Sequence, residues 1–299
     1  MPIFKGVATA LVTPFTEAGE IDYASFADII EYQIKEGVSA LVVCGTTGES
    51  ATLTVTERKE LLSFAVEIAD KRVPVIAGTG SNSTYRTVAL SEDAASVGAD
   101  GLLIVTPYYN KASRSGLIEH YTAVAEAVPL PIIVYNVPQR TGLGISPEVY
   151  HELLQIKNIV GIKEANGSVS SWAKTMSLCP DAELYSGNDA DTLPMMALGG
   201  LGTISVVSNI LPRMLSDMCR LFEKGETAKA AKIQIMLTPL IELLFCEVNP
   251  IPIKYAMSRL GFCDNILRLP LSPLSAYNAA KLEDCLSGFF AHGEFEERI

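Results

Sequence analysis

Short apolar runs and longer apolar stripes take turns along the first two thirds of the chain. The runs are residues 6–13 (GVATALVT), 40–44 (ALVVC), 73–77 (VPVIA), 102–105, 132–135, 159–163, 183–186 and 203–207. Near-continuous apolarity over so few residues marks a strand covered on both faces, as in a parallel sheet. Between the runs the spacing shifts to the helical period. Residues 23–36 carry Phe26, Ile29, Ile30 and Ile34 on one face, with Asp22 placed as N-cap and Gly37 as stop. Residues 54–71 open with Thr54 and Glu57 at capping-box spacing. Residues 84–97 and 117–127, a stretch from Pro147 capped by Ser146, and residues 171–177 and 192–198 complete the helical set.

Repeated βα units at short spacing predict a parallel sheet of the α/β class. Right-handed crossovers then allow an open doubly wound sheet or a closed barrel. Eight units over about 200–250 residues match the (β/α)8 TIM barrel. Neither GxGxxG after a strand nor GxxxxGK[ST] occurs, so the nucleotide-binding open sheet loses its best support. Beyond residue 210 the pattern is helical only, over 211–224, 227–245, 251–260 and 276–290. The expected division is a barrel carrying the active site over 1–224 and a C-terminal helical appendage over 225–299.

Composition narrows the function class. Hydrophobic residues are 48% of the 299, at the level of ordinary globular proteins, so a sizeable core can form. The net charge of -11 argues against nucleic acid or an acidic membrane as partner, while leaving room for a small anion held by a local cluster. Cys44, Cys179, Cys219, Cys246, Cys263 and Cys285 form no CxxC pair. That scatter predicts reduced, mostly buried thiols rather than a disulfide framework or a zinc site. No basic segment leads into an apolar one at the N-terminus, and no apolar run reaches about 18 residues, so a soluble cytoplasmic protein without a membrane span is expected.

Chemistry in such a barrel sits where strands end. The run 159–163 (IVGIK) ends on Lys163. A strand-end lysine most often snorkels to solvent. In an apolar barrel mouth its pKa would instead fall, and the neutral amine could attack a ketone. Three further strand ends are polar. Gly45-Thr46-Thr47-Gly48-Glu49-Ser50 offers converging N–H groups and hydroxyls, or simply a glycine-rich turn. Thr106-Pro107-Tyr108-Tyr109-Asn110 brings adjacent tyrosines, which also serve as packing or interface residues. Tyr135 ends the run before Pro138-Gln139-Arg140-Thr141-Gly142, whose Arg140 can clamp a carboxylate or sit on the surface. Together they suit imine chemistry on a 2-oxo acid. His120, His151 and His292 read as surface or structural residues, and no metal-ligand spacing is found.

The motifs GTTGES, VTPYYN, YNVPQRTG and GIKEA, in this order and spacing, resemble the dihydrodipicolinate synthase family of pyruvate-dependent class I aldolases, which also holds N-acetylneuraminate lyase. The resemblance spans essentially the whole chain and implies a (β/α)8 barrel with C-terminal helices. It implies condensation of pyruvate with L-aspartate 4-semialdehyde to 4-hydroxy-tetrahydrodipicolinate, in lysine and diaminopimelate biosynthesis. Lys163 would form the Schiff base, with no other cofactor and no metal. Tyr135 would be the acid/base, linked through Thr46 to Tyr109 of a neighbouring subunit. A homo-oligomer follows, at least a dimer and expected to be a tetramer. Thr47 would hold the pyruvate carboxylate and Arg140 that of the semialdehyde, with Gly187 and Ile204 lining the pocket. An N-acetylneuraminate or 2-keto-3-deoxy sugar acid aldolase is the alternative within the family, and a non-catalytic barrel binding a 2-oxo acid the alternative outside it. The family's L-lysine cleft maps onto Ser50, Ala51, Val55, Arg58, Asn82, Arg86 and Tyr108. Val55 and Arg58 stand for two histidines and Arg86 for a glutamate, so weak or absent inhibition by L-lysine is expected.

Overall fold

Capping and punctuation set the element boundaries. In the computed structural model, which describes residues 2–291, the order is β1 (Gly6–Ala10), α1 (Tyr23–Lys35), β2 (Ala40–Val43), α2 (Val55–Ala69), β3 (Val75–Gly78), α3 (Thr84–Ser96), β4 (Gly101–Val105), α4 (Arg114–Ala127), β5 (Ile132–Asn136), α5 (Pro138–Thr141), α6 (Pro147–Leu153), β6 (Ile159–Glu164), α7 (Val169–Leu178), β7 (Glu183–Ser186), α8 (Thr192–Ala197), β8 (Gly202–Ser205), α9 (Pro212–Glu223), α10 (Thr227–Leu244), α11 (Ile251–Arg259) and α12 (Ala276–Ala291). Asp22 caps α1 by accepting from the Ser25 N–H at 3.1 Å. At α2 both halves of the capping box form: Thr54 Oγ1 accepts from Glu57 N at 3.2 Å, and the Glu57 carboxylate from Thr54 N at 2.8 Å. Ser146 stands at the N-cap of α6 but makes no capping hydrogen bond through its side chain.

The strands pair in parallel in sequence order, and β8 closes on β1. The seam demands glycine. A Cβ on Gly202, at φ 145°, would lie 1.8 Å from the Gly6 carbonyl oxygen. Alternation along each strand divides the apolar residues into two layers. Ala8, Val42, Ile76, Leu103, Ile133, Tyr135 and Ile204 fill the barrel. Leu41, Val43, Leu102, Ile104, Ile132, Val134 and Ile162 face the helices. Burial on both faces is why the strands read as unbroken apolar runs. Phe4 stacks on Tyr185 at 4.2 Å, and the Tyr185 hydroxyl donates to the Phe4 carbonyl at 2.9 Å.

Some expected bounds shift. β1 stops at Ala10 rather than at residue 13, because Val12 N leaves the ladder and donates to Asn209 Oδ1 at 3.2 Å. β8 ends at Ser205, and Val207 belongs to a 3-10 turn. Residues 138–142, read as an open strand-end segment, contain the short helix α5, with proline in its first turn and Gly142 closing it at φ 68°.

The C-terminal helices are fastened to the barrel by charge. Lys254, on α11, is paired with Glu49 at 2.5 Å, both side chains fully buried. Lys254 Nζ also lies 4.1 Å from the Phe15 ring centroid. The Arg268 N–H donates to Glu49 at 3.0 Å, and its guanidinium clamps Glu57. Glu49 belongs to the loop that carries Thr46 and Thr47, so the appendage is tied directly to that loop. Cys44, Cys179, Cys219 and Cys263 are buried, Cys285 is half-buried and Cys246 exposed, all as free thiols. Among the described residues no helix is long and apolar enough to cross a membrane.

Candidate active site

The centre of the site is a cross-strand pair. β5 and β6 are registered so that Tyr135 faces Lys163 and Asn136 faces Glu164. Each strand continues one residue past its predicted end, to Asn136 and Glu164. The outward pair locks the register. Glu164 accepts from Asn136 Nδ2 at 3.0 and 3.1 Å, from the Tyr150 hydroxyl at 2.7 Å and from Asn166 N at 2.9 Å. Burial pushes the Glu164 carboxyl up, and these donors oppose the shift.

The inward pair, Lys163 and Tyr135, faces the barrel interior. Lys163 is 6% exposed, and its Nζ lies 4.3 Å from the Tyr135 ring centroid. Burial pulls its pKa down to about 7; the negative charge of Asp189 opposes the shift and the positive charge of Arg140 adds to it. Much of the amine is therefore neutral near neutral pH. Burial likewise lifts the Tyr135 phenol to about 12, with Arg140 opposing and Glu164 adding. A protonated phenol beside a neutral amine is a proton donor next to a nucleophile.

β7 and β8 carry the next two residues singled out by the sequence, Gly187 just after β7 and Ile204 on β8. Gly187 N donates to the Glu164 carbonyl at 2.8 Å. A Cβ on Gly187 would come within 2.9 Å of Ala165 Cβ and 3.2 Å of Lys163 Cε, so only glycine leaves the lysine stem its place. Ile204, fully enclosed, packs in the barrel layer with Tyr135. The threonine loop turns on two left-handed non-glycine residues, Cys44 at φ 57° and Glu49 at φ 53°. Thr47 is buried and Thr46 half-buried. Arg140, on α5, donates from Nη2 to the Asn249 carbonyl at 3.1 Å. Tyr109 stands 91% exposed on a left-handed φ of 72°. Among the described residues no side-chain hydrogen bond joins Thr46 to Tyr135 or Tyr109.

A family model described as the dihydrodipicolinate synthetase family matches residues 3–288. The chain belongs to that family. It is 48% identical over 283 residues to the 4-hydroxy-tetrahydrodipicolinate synthase of Alkaliphilus oremlandii (strain OhILAs), covering 94% of this chain and 97% of that protein. The crystal structure of dihydrodipicolinate synthase from Aquifex aeolicus superposes with a TM-score of 0.94 at 43% identity, over 96% of this chain and 98% of that one. A structure described as the first monomeric dihydrodipicolinate synthase variant gives 0.93 at 44% identity, over 95% and 96%.

The seven positions that the resemblance maps onto an L-lysine cleft fall on three neighbouring segments: the loop and first turns around α2, the start of α3, and the β4–α4 loop. Arg58 is drawn inward, its Nη2 donating to the Gly78 carbonyl at 2.6 Å. Burial lowers its pKa, and the charge of Arg86 adds to that. Val55 and Arg58 line a small cavity with Cys44. Arg86 and Ala51 are exposed, and Ser50 is half-buried. The Asn82 carbonyl accepts from Asn110 Nδ2 at 2.8 Å, tying α3 to the loop of Tyr108 and Tyr109. His120 is buried between α3 and α4, its Nδ1 3.0 Å from Thr84 Oγ1, and burial lowers it to about 4. His151 is exposed, and His292 lies outside the described residues. No group of three or more His, Cys, Asp or Glu side chains is placed to hold a metal among the described residues.

Two residues near the chemistry escaped the sequence reading. Asp189 is buried after β7, accepting from Ser205 Oγ and from Val206 N at 3.0 Å, and its charge acts on Lys163. Asn249, between α10 and α11, donates from Nδ2 to Thr47 Oγ1 at 3.0 Å. The NDAD run after a strand could have signalled Asp189. Nothing local marks Asn249.

Proposed function

We propose that the chain condenses pyruvate with L-aspartate 4-semialdehyde to 4-hydroxy-tetrahydrodipicolinate through a Schiff base on Lys163. The observation that carries this reading is a buried lysine with its pKa lowered to about 7, lying 4.3 Å from the ring of Tyr135. The Lys163 nitrogen attacks C2 of pyruvate, and the carbinolamine loses water as Tyr135 supplies a proton. Loss of a C3 proton gives the enamine. Its C3 bonds to the aldehyde carbon, whose oxygen takes up a proton. The semialdehyde's own amine then attacks C2, closes the ring and releases Lys163. One water leaves overall. Thr46 relays protons between Tyr135 and Tyr109, Thr47 holds the pyruvate carboxylate, Arg140 clamps that of the semialdehyde, and Gly187 with Ile204 shapes the pocket. The scheme uses no metal or prosthetic group.

The same reading makes the protein a cytoplasmic homo-oligomer, at least a dimer and expected to be a tetramer. Support comes from Tyr109, 91% exposed in the single chain. It also keeps residues 1–224 as barrel and 225–299 as appendage. Borohydride trapping with pyruvate, followed by a panel of aldehyde acceptors, tests it. A reduced adduct on Lys163, absent in Lys163→Ala, and turnover with the semialdehyde are expected. Turnover with a sugar aldehyde alone would move the chain to another branch of the family, and no adduct at all would leave a binding barrel.

A further inference from the structure

α10 and α11 lie outside the barrel, yet the segment between them reaches its mouth. There Asn249 is buried, 6% exposed, and donates from Nδ2 to Thr47 Oγ1 at 3.0 Å across 202 residues of sequence. Its carbonyl accepts from Arg140 Nη2 at 3.1 Å. One residue thus touches both side chains assigned to substrate carboxylates. Its Oδ1 is buried without a hydrogen-bond partner among the described residues, and its neighbours are anchored. The Lys254 N–H, on α11, donates to the Pro250 carbonyl at 2.9 Å, and the Lys254 ammonium is paired at 2.5 Å with Glu49 in the loop of Thr47.

The sense of the bond to Thr47 has a consequence. A hydroxyl carries one proton and two lone pairs. With an amide N–H donating into the Thr47 oxygen, the hydroxyl proton remains to be donated elsewhere. Thr47 is 3% exposed, so bulk water is a poor acceptor, and an incoming carboxylate is a good one. We infer that Asn249 is a positioning residue: its amide fixes the Thr47 hydroxyl so that the proton is presented to the pyruvate carboxylate, while its carbonyl holds Arg140 for the second substrate. This rests on the assignment of Thr47 and Arg140 in the proposed function.

A double-mutant cycle tests it, read as the pyruvate concentration that half-saturates borohydride trapping. Asn249→Ala should raise that concentration about 3- to 10-fold, the range for a neutral hydrogen bond. Thr47→Val should raise it as well. In the Thr47→Val background the Asn249 substitution should add less than about twofold, because the hydroxyl it orients is gone. Should the alanine variant fail to fold, Asn249→Leu, of similar shape and uncharged with no N–H to donate, takes its place in the cycle. Two results overturn the inference alone: an unchanged half-saturation in the Asn249 variant, or effects that multiply in the double variant, which a merely structural role would give. An unchanged half-saturation in Thr47→Val overturns the Thr47 assignment and this inference with it.

Discussion

Two lysines of this chain are buried, and their partners separate their roles. Lys254 has Glu49 at 2.5 Å. Among the described residues Lys163 has no carboxylate at ion-pair distance and lies 4.3 Å from the Tyr135 ring centroid instead. Burial lowers both, and for Lys254 the glutamate opposes the shift directly. A lysine lowered to about 7 is mostly protonated below that pH and mostly a free amine above it. The rate of adduct formation at sub-saturating pyruvate should therefore rise about tenfold per pH unit on the acid side and level off above the pKa. Stopped-flow or quench trapping from about pH 5 to 9 measures it. A rise still continuing at pH 9, as for an ordinary lysine, would contradict the burial argument. The strand-end position of Lys163 and its neighbour Glu164 were readable from the sequence. That no carboxylate reaches ion-pair distance of the amine among the described residues was not, because Asp189, whose charge acts on it, arrives from beyond β7.

At the scale of elements, the threonine loop is held from two sides. Thr13 Oγ1 donates to the Gly48 carbonyl at 2.7 Å from the barrel side. Lys254 and Arg268 hold Glu49 from the appendage. Lys254→Met would leave the Glu49 carboxylate buried with only backbone support. Losing one member of a buried pair typically costs about 3–5 kcal/mol. Urea unfolding should show a loss of that order. A loss below about 1 kcal/mol would mean that Glu49 reaches water once its partner is gone. Helices with strong caps, α1 and α2, were legible at their N-termini. The short helix α5 was not, since a single turn carries no period and its proline and glycine also fit an open loop.

For the whole molecule, the question is what Tyr109 serves. Its side chain is 91% exposed on a left-handed backbone and makes no side-chain hydrogen bond among the described residues. If it completes a partner's site, Tyr109→Phe and Lys163→Ala, each of low activity, should recover part of the activity when subunits are mixed and exchange. Every mixed dimer then has one site with an intact lysine and an intact tyrosine from the partner. Absence of recovery in dimers verified as mixed would assign Tyr109 to its own subunit. At the positions beside it that the resemblance maps onto an L-lysine cleft, Arg58 sits against the Gly78 carbonyl and Arg86 is exposed. Two fixed cations disfavour a ligand with two ammonium groups. Initial rates at saturating pyruvate should stay nearly level as L-lysine is raised into the millimolar range, and a steep saturable loss would show that the cleft still binds it.

By itself the sequence determined the alternation of strand and helix, the count of eight βα units and the place of Lys163 at a strand end. Each rests on local spacing: the unbroken apolar runs come from burial on both faces, and the lysine stands out because it ends such a run. The tertiary structure alone added the long-range partners of the site, Asp189 beside Lys163 and Asn249 beside Thr47. Asn249 reaches Thr47 from 202 residues away, and Lys254 reaches Glu49 from 205. Contacts of that range exist only after the strands have closed and the C-terminal helices have docked, and no periodicity along the chain encodes which side chains then come within a hydrogen bond of each other.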